Sequence, residues 1–444
     1  MKRVAVVGSG ISGLAAARAL EGLAQVTLFE AGRYFGGHAH TVDVTLGGVT
    51  HGVDTGFLVF NHRTYPHLVR LFEELGVVTA ASEMSFSVQV PEANLEWSGC
   101  NLNSVFAQRR NLLSPRFWAL LADILRFNKL CTTLAEQDSL NKGNELLEPI
   151  GDFLDRHRFD GRFRDWYLLP MLGCIWSCPT DSMLRFPLAT MIRFCHNHGL
   201  IQVNNRPQWF TVRGGARHYV ERMLKQIPDA RLNCPVQRVQ RQYTAEGRST
   251  GVMVHTEHNN QRFSERFDEV VLACHSDQAL ALLGDARAAE REVLAAIRYH
   301  PNRAVLHTDT SVLPRRKRAW AAWNYARAQN ARNEASAVCL HYLINRLQPL
   351  PWQQPVLVSL NPDPAREPAP QHVLGDYNYS HPVFDAAAVR AQHKLPSIQG
   401  TGGVWFCGAW TRYGFHEDGL MSALEVVRGL RESWQNQGAS RWAA

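Results

Sequence analysis

The chain has 444 residues, 45% hydrophobic and 20% charged, with a formal net charge of +7. That length carries two or three domains with ample buried core, and the balance excludes a disordered or fibrous chain. No run of about 18 apolar residues is present to span a bilayer, and the nine cysteines show neither a CxxC pair nor zinc-type spacing, so a reducing cytoplasm and no metal centre are expected.

The opening "MKRVAVVGSGISGLAAARAL" has the outline of a signal peptide, but glycines at 8, 10 and 13 interrupt the apolar run. They have a better explanation. Residues 3–7, "RVAVV", predict a buried parallel strand, Gly8-Ser9-Gly10-Ile11-Ser12-Gly13 a tight turn, and "LAAARALEGL" a helix. A second strand, "QVTLFEA", ends at Glu30. This is the GxGxxG fingerprint in its required strand–turn–helix context. Gly8 allows the turn, Gly10 lets the backbone approach a pyrophosphate, and Gly13 lets helix and strand close together. The helix N-terminus faces the phosphates, and Glu30 accepts from an adenosine ribose. A second pair, Gly36-Gly37, follows in "AGRYFGGHAHT": an ordinary turn, or a second backbone approach to a long cofactor.

Further along, "SVFAQRRNLLSPRFWALLADILRFNKL" at 104–130 mixes bulky apolar side chains with Arg109, Arg110, Arg116 and Arg126. It predicts amphipathic helices that roof a pocket, or a basic aromatic surface resting on anionic lipid. Arginine outnumbers lysine 41 to 6, from codon bias or from a preference for anionic groups. No basic run resembles a nucleic-acid groove; "RRKR" at 315–318 reads as a solvated loop. Cys174 and Cys178 in "GCIWSCPT" read as small buried residues. "RAVLHTD" and "AVCLHYLINRL" predict strands under an active site, the Pro-rich "LQPLPWQQP" and "NPDPAREPAP" predict loops, and "YNYSHPVF" predicts aromatic wall or core. Near the end, "GFHEDGLMSALE" places His416, Glu417 and Asp418 before a helix expected to begin near Gly419. Asp418 is a natural N-cap. His416 and Glu417 are candidates for proton handling or for a structural hydrogen-bond network.

"FEAGRYFGGHAHT" resembles the E-A-x-x-x-x-G-G-x-x-x-T element of the flavin-containing amine oxidase superfamily, which also holds protoporphyrinogen oxidase and phytoene-type desaturases and binds FAD. "GVDTGFLVFN" at 52–61, "WFTVRGGARHYVERML" at 209–224, "CPVQRV" at 234–239, "FDEVVLACHSDQAL" at 267–280 and "VWFCGAWTRYGFHEDGLMSALEVVRGL" at 404–430 resemble its other cofactor elements. The subgroup it resembles in "DTGFLVFN…TYP" and "GFHEDGL" is associated with cyclopropane and other modified fatty acids. The resemblance implies FAD contacts from Gly8, Gly10, Ile11, Ser12, Gly13, Glu30, Ala31, Gly36, Gly37, His38, Gly56, Phe57, Leu58, Val236, Ala273, Gly408, Ala409, Gly419, Leu420 and Met421. It places the helix near Gly419 at the N1–C2=O edge of the flavin, and His38 where many relatives carry arginine. Two departures stand out: "YHPNRAVLHTDTSVLP" at 299–314 lacks the lysine that amine oxidases hold over N5, and Leu420 stands where they carry an aromatic cage residue. Both favour an apolar substrate over an amine.

The expected architecture is α/β: a Rossmann-like, glutathione-reductase-type FAD domain, discontinuous over 1–75, 205–285 and 396–444, with an α+β substrate domain of mixed sheet and helices over 76–204 and 286–395. The expected activity is hydride transfer from a C–H bond of an apolar, fatty-acyl or lipid substrate to flavin N5, with His416 and Glu417 as catalytic candidates. A peroxide-releasing amine oxidase and an FAD-stabilised non-catalytic partner of a lipid-modifying enzyme are the alternatives. The absence of a second GxGxxG argues against a separate NAD(P)H domain, and peripheral contact with the inner face of the membrane is expected through 104–130.

Overall fold

The first strand, Lys2–Val7, buries Val4 to Val7 at the centre of a five-stranded parallel sheet. In the computed structural model, which describes all residues except 141–147, 203–205, 259–260, 328–338 and 443–444, its order is Asp229–Arg231, Ala24–Phe29, Lys2–Val7, Glu269–Leu272, Val404–Phe406. Strands buried on both faces read as continuous apolar runs, which "VAVV" and "EVVL" do. An antiparallel sheet of Val236–Tyr243, Ser249–His258 and Gln261–Phe267 stands against it.

A second, seven-stranded sheet runs Val373–Val383, Arg298–His307, Leu357–Leu360, Cys339–Leu343, Trp323–Ala326, Phe86–Val90, Leu95–Ser98. The parallel sheet draws its strands from within 1–75, 205–285 and 396–444, and the seven-stranded sheet from within 76–204 and 286–395. A small sheet of Phe60–Asn61, Trp209–Val212 and Thr79–Ser82 straddles the two sets.

Three local expectations need correction. Residues 337–338 of "AVCLHYLINRL" lie outside the described residues, and its strand stops at Leu343. Ile344–Leu347 turns helical because Asn345 accepts from Val356 N and donates to the Trp352 and Gln354 carbonyls. The segment 104–130 forms Leu102–Val105, a turn at Arg109–Leu113 and the long helix Pro115–Leu140, but none of its residues lines the main cavity described below. Phe106, Phe117, Leu120 and Phe127 pack inward, while Leu102, Leu112, Leu113, Trp118 and Leu125 stay exposed, Leu113 at 88%. The last helix begins at His416, three residues earlier than predicted, and runs to Trp442.

Candidate active site

The glycine turn is held as its spacing requires. Gly8 has φ +101°, a conformation that favours glycine, and a Cβ on Gly13 would lie 1.8 Å from the Gly8 carbonyl oxygen. A Cβ on Gly10, by contrast, would meet nothing within 4 Å. Space is left in front of this residue alone of the three, at the mouth of the helix Ile11–Ala19, where a phosphate binds. Glu30 closes the second strand and accepts from Ser9 N at 2.9 Å, Ser9 Oγ at 2.5 Å and Gly32 N at 2.7 Å.

A cavity of about 670 Å³ starts at this turn and continues to the seven-stranded sheet. Gly8, Gly10, Ile11, Ser12, Glu30, Ala31, Gly36, Gly37, His38, Gly56, Phe57, Leu58, Val236, Ala273, Gly408, Ala409 and His416 all line it. Its volume, the open approach at Gly10 and the acceptor at Glu30 fit an extended dinucleotide, which these residues would hold along one wall.

Gly13, Glu417, Gly419, Leu420 and Met421 do not line it. Gly13 serves helix–strand packing. A Cβ on Gly419 would lie 2.7 Å from Ser12 Oγ and 2.9 Å from Ile11 Cγ2, so this glycine lets the last helix cross the glycine-loop helix. Leu420 is core, and Met421 faces a second cavity of about 440 Å³. The early helix start is the cause: the main cavity meets Tyr413, Gly414, Phe415 and His416, and the later positions turn away. Leu420 therefore says nothing about an aromatic cage.

The ionisable row is divided among three tasks. The His416 ring stacks on Phe57 at 3.8 Å and shares a 3.1 Å hydrogen bond with the Tyr219 hydroxyl through Nε2. Burial pushes its pKa down to about 3, so the ring is neutral at physiological pH and is a hydrogen-bonding group rather than an efficient general base. Glu417 reaches away to accept from His67 N at 2.9 Å, Leu68 N at 2.9 Å and His67 Nδ1 at 2.7 Å. It caps the helix Pro66–Leu75, whose own preceding residue, Tyr65, supplies no side-chain cap. Asp418 does cap the last helix, but from its third position, where Oδ2 accepts from Phe415 N at 3.0 Å. Burial pushes its pKa up to about 7. Asp54 accepts from Thr41 Oγ1, Ala216 N and Gln348 Nε2, pinning the Gly214-Gly215 turn.

Of the far half of the cavity, the sequence pointed only to the segments holding Tyr342, expected in a strand under the site, and Phe384, expected in an aromatic wall or core. Met84, Ile175, Trp176, Phe194, Leu200, Trp209, Trp323, Tyr342 and Phe384 join Tyr413 and Phe415 around it. Tyr65, Phe194, His198, Tyr413 and Phe415 form a wall shared with the second cavity. Among the described residues no lysine or arginine lines the main cavity, and Glu30, at the nucleotide end, is its sole carboxylate.

The fold and this site define a flavin-dependent oxidoreductase. Residues 11–331 match the family model "Flavin containing amine oxidoreductase", and the chain belongs to that family. Its cofactor is FAD. Among solved structures, it is similar to cyclohexylamine oxidase from Brevibacterium oxydans IH-35A, at 15% identity and TM-score 0.68 over 98% of this chain and 99% of that one. It is also similar to the CLA-producing fatty acid isomerase from P. acnes, at 16% identity and TM-score 0.63 over 96% and 98%. Putrescine oxidase bound to putrescine gives 16% identity and TM-score 0.67 over 97% and 99%. These likenesses establish the fold. No curated protein sequence matches the chain.

Proposed function

We propose that this oxidoreductase takes a hydride from a C–H bond of an apolar, fatty-acyl or lipid substrate. The observation that carries the proposal is the far half of the cavity, an aromatic and aliphatic chamber with no carboxylate and no lysine or arginine among the described residues. An acyl chain is desolvated there at no electrostatic cost, whereas a buried ammonium would lack a counter-ion. FAD, when bound, supplies the hydride acceptor, and its electrons pass on to O2 or another acceptor. The chain's own residues orient and dry the site: Tyr413 and Phe415 wall the junction between the two halves, and neutral His416 offers a hydrogen bond there. The absence of lysine on the strand Arg298–His307 supports the same choice. The exposed Leu102, Leu112, Leu113 and Trp118, set among Arg109, Arg110 and Arg116, are assigned as the contact with an anionic lipid surface.

Amine oxidation is the second reading, favoured by the aromatic walls, since a ring face attracts a cation. Anaerobic bleaching of the protein-bound flavin separates the two. Unsaturated or methyl-branched acyl phospholipids should bleach it, and primary and secondary amines should not. Bleaching by amines alone would overturn the proposal.

A further inference from the structure

A dinucleotide brings two negative charges on its diphosphate, yet no arginine or lysine among the described residues lines the cavity that receives it. Three histidines from three separate segments converge there instead. His38 follows the Gly36-Gly37 pair, His275 follows the strand Glu269–Leu272, and His381 lies on the strand Val373–Val383. All three line the cavity, with the His38 ring 5.3 Å from His381 and 6.4 Å from His275 between centroids. Two contacts bring the backbone leading into His38 and His275 against the glycine turn. A Cβ on Gly37, next to His38, would lie 3.1 Å from Gly10 Cα, and a Cβ on Gly8 would lie 2.8 Å from the carbonyl oxygen of Ala273, two residues before His275.

The rings are poised to donate. His38 Nε2 is shielded from solvent and has no hydrogen-bond partner among the described residues. His381 Nδ1 lies 3.1 Å from the Asn302 amide nitrogen. That amide is fixed: its nitrogen also donates to the His300 carbonyl, and its oxygen accepts from Asn361 Nδ2. Nδ1 of His381 is therefore the acceptor, and its proton sits on Nε2. A buried donor without an acceptor is costly, and an anion resolves it.

We propose that His38, His275 and His381 form the diphosphate-binding site for FAD, and that cofactor binding draws protons from solvent onto this trio. Without an anion the rings are neutral. Burial lowers His38 first, and the charges of His381, His275 and His416 oppose its protonation further; burial likewise lowers His275 and His381. The other groups facing the trio are few. His40 is hydrogen-bonded to Thr55 and Tyr379, Tyr299 stacks on His275, His300 lies on the neighbouring strand opposite His381, Tyr377 lies on the His381 strand itself, and Cys274 adjoins His275. Among the described residues, Asp277 raises His275, and Glu30 lines the same cavity and acts on the adjoining Cys274. A diphosphate within about 4–6 Å favours each imidazolium by one to three pKa units, enough to carry a depressed histidine toward neutrality. The sign follows: the bound rings keep protons to higher pH than the free ones, so affinity is greatest in acid and falls as pH rises. The fall reaches about tenfold per pH unit for each proton taken up.

The test is calorimetry of FAD binding to the apoprotein at about pH 7 in phosphate and in Tris, whose ionisation heats differ, with Kd from flavin fluorescence at about pH 6 and pH 8. The expected result is a buffer-dependent heat equal to uptake of about one proton and a Kd up to about a hundredfold weaker at the higher pH, two pH units away. His38→Gln and His381→Gln, which keep hydrogen bonding but not charge, should flatten the pH dependence. Riboflavin, which lacks the diphosphate, should bind without proton uptake. Equal heats in both buffers together with a pH-independent Kd would overturn the proposal. Should the variants fail to fold, the wild-type measurements decide alone.

Discussion

Replacing Glu417 separates a structural carboxylate from a catalytic one. Its oxygens accept from two backbone N–H groups and a histidine ring, at 2.7 to 2.9 Å, while the Glu417 side chain is 7% exposed. Hydrogen bonds to a charged acceptor contribute about 1.5–3 kcal/mol each, and the buried Leu68 N–H left without a partner adds its own desolvation penalty. Glu417→Ala should therefore cost about 3–5 kcal/mol. Glu417→Gln keeps the shape but offers one acceptor oxygen and a repelling NH2, for about 2–3 kcal/mol. The assay pairs thermal unfolding of the flavin-loaded protein with the rate of anaerobic flavin reduction. Glu417→Gln should lower the midpoint by about 2–3 °C while the folded protein reduces flavin within a few-fold of wild type. A rate loss of about a hundredfold or more with an unchanged midpoint is the signature of a proton-transfer group, and it would refute the assignment of Glu417 as a cap.

Three further outcomes are expected. Gly10→Ala should leave the apoprotein melting as wild type, because its Cβ meets nothing, yet weaken FAD at least about tenfold; Gly13→Ala, whose Cβ would lie 1.8 Å from a backbone oxygen, should not yield folded protein at all. Circular dichroism and flavin fluorescence titration distinguish these two failures. The His416 pKa is depressed from about 6.5 to about 3 on folding, so the native state binds fewer protons than the unfolded chain in that window, and stability present at neutral pH is lost as pH falls. Between about pH 7 and pH 5, urea unfolding should show wild type losing roughly 2 kcal/mol more than His416→Asn. Leu102→Asp with Leu113→Asp should lower co-sedimentation with anionic phosphatidylglycerol vesicles about tenfold or more, without altering the unfolding midpoint, since both side chains are solvent-exposed.

The nucleotide half of the site was legible because its signals are local. A strand, a turn that only glycine permits at Gly8, a helix and an acid at Glu30 lie within thirty residues, and each has a physical reason for its position. The helix at the other end was legible as a helix but not in its phase. Asp418 caps equally well from the N-cap or from the third position, and the choice of the latter shifts the start to His416. That shift takes Gly419, Leu420 and Met421 out of the cavity and brings Tyr413 and Phe415 into it. The exposed apolar side chains of 102–125 were visible as an amphipathic mixture, but which of its faces would be left uncovered depends on packing from elsewhere in the chain.

What could not be read locally was set by partners far away in sequence. Glu417 looked catalytic because its use, the amide groups at 67 and 68, lies some 350 positions earlier, and no spacing rule connects the two. The aromatic chamber draws Trp176, Phe194, Trp209, Trp323 and Tyr342 from five separate segments, none with a periodicity that marks a cavity rather than a core. The histidine trio shows the same limit in sharper form. His38 was noticed as a missing arginine, which predicts a weaker anion site; only the approach of His275 and His381 gives that position a charge that can be switched on. Burying neutral rings where an anion will arrive avoids the cost of a permanently buried cation in the apoprotein. It also makes retention of the cofactor depend on pH, a dependence that an arginine in the same place would not confer.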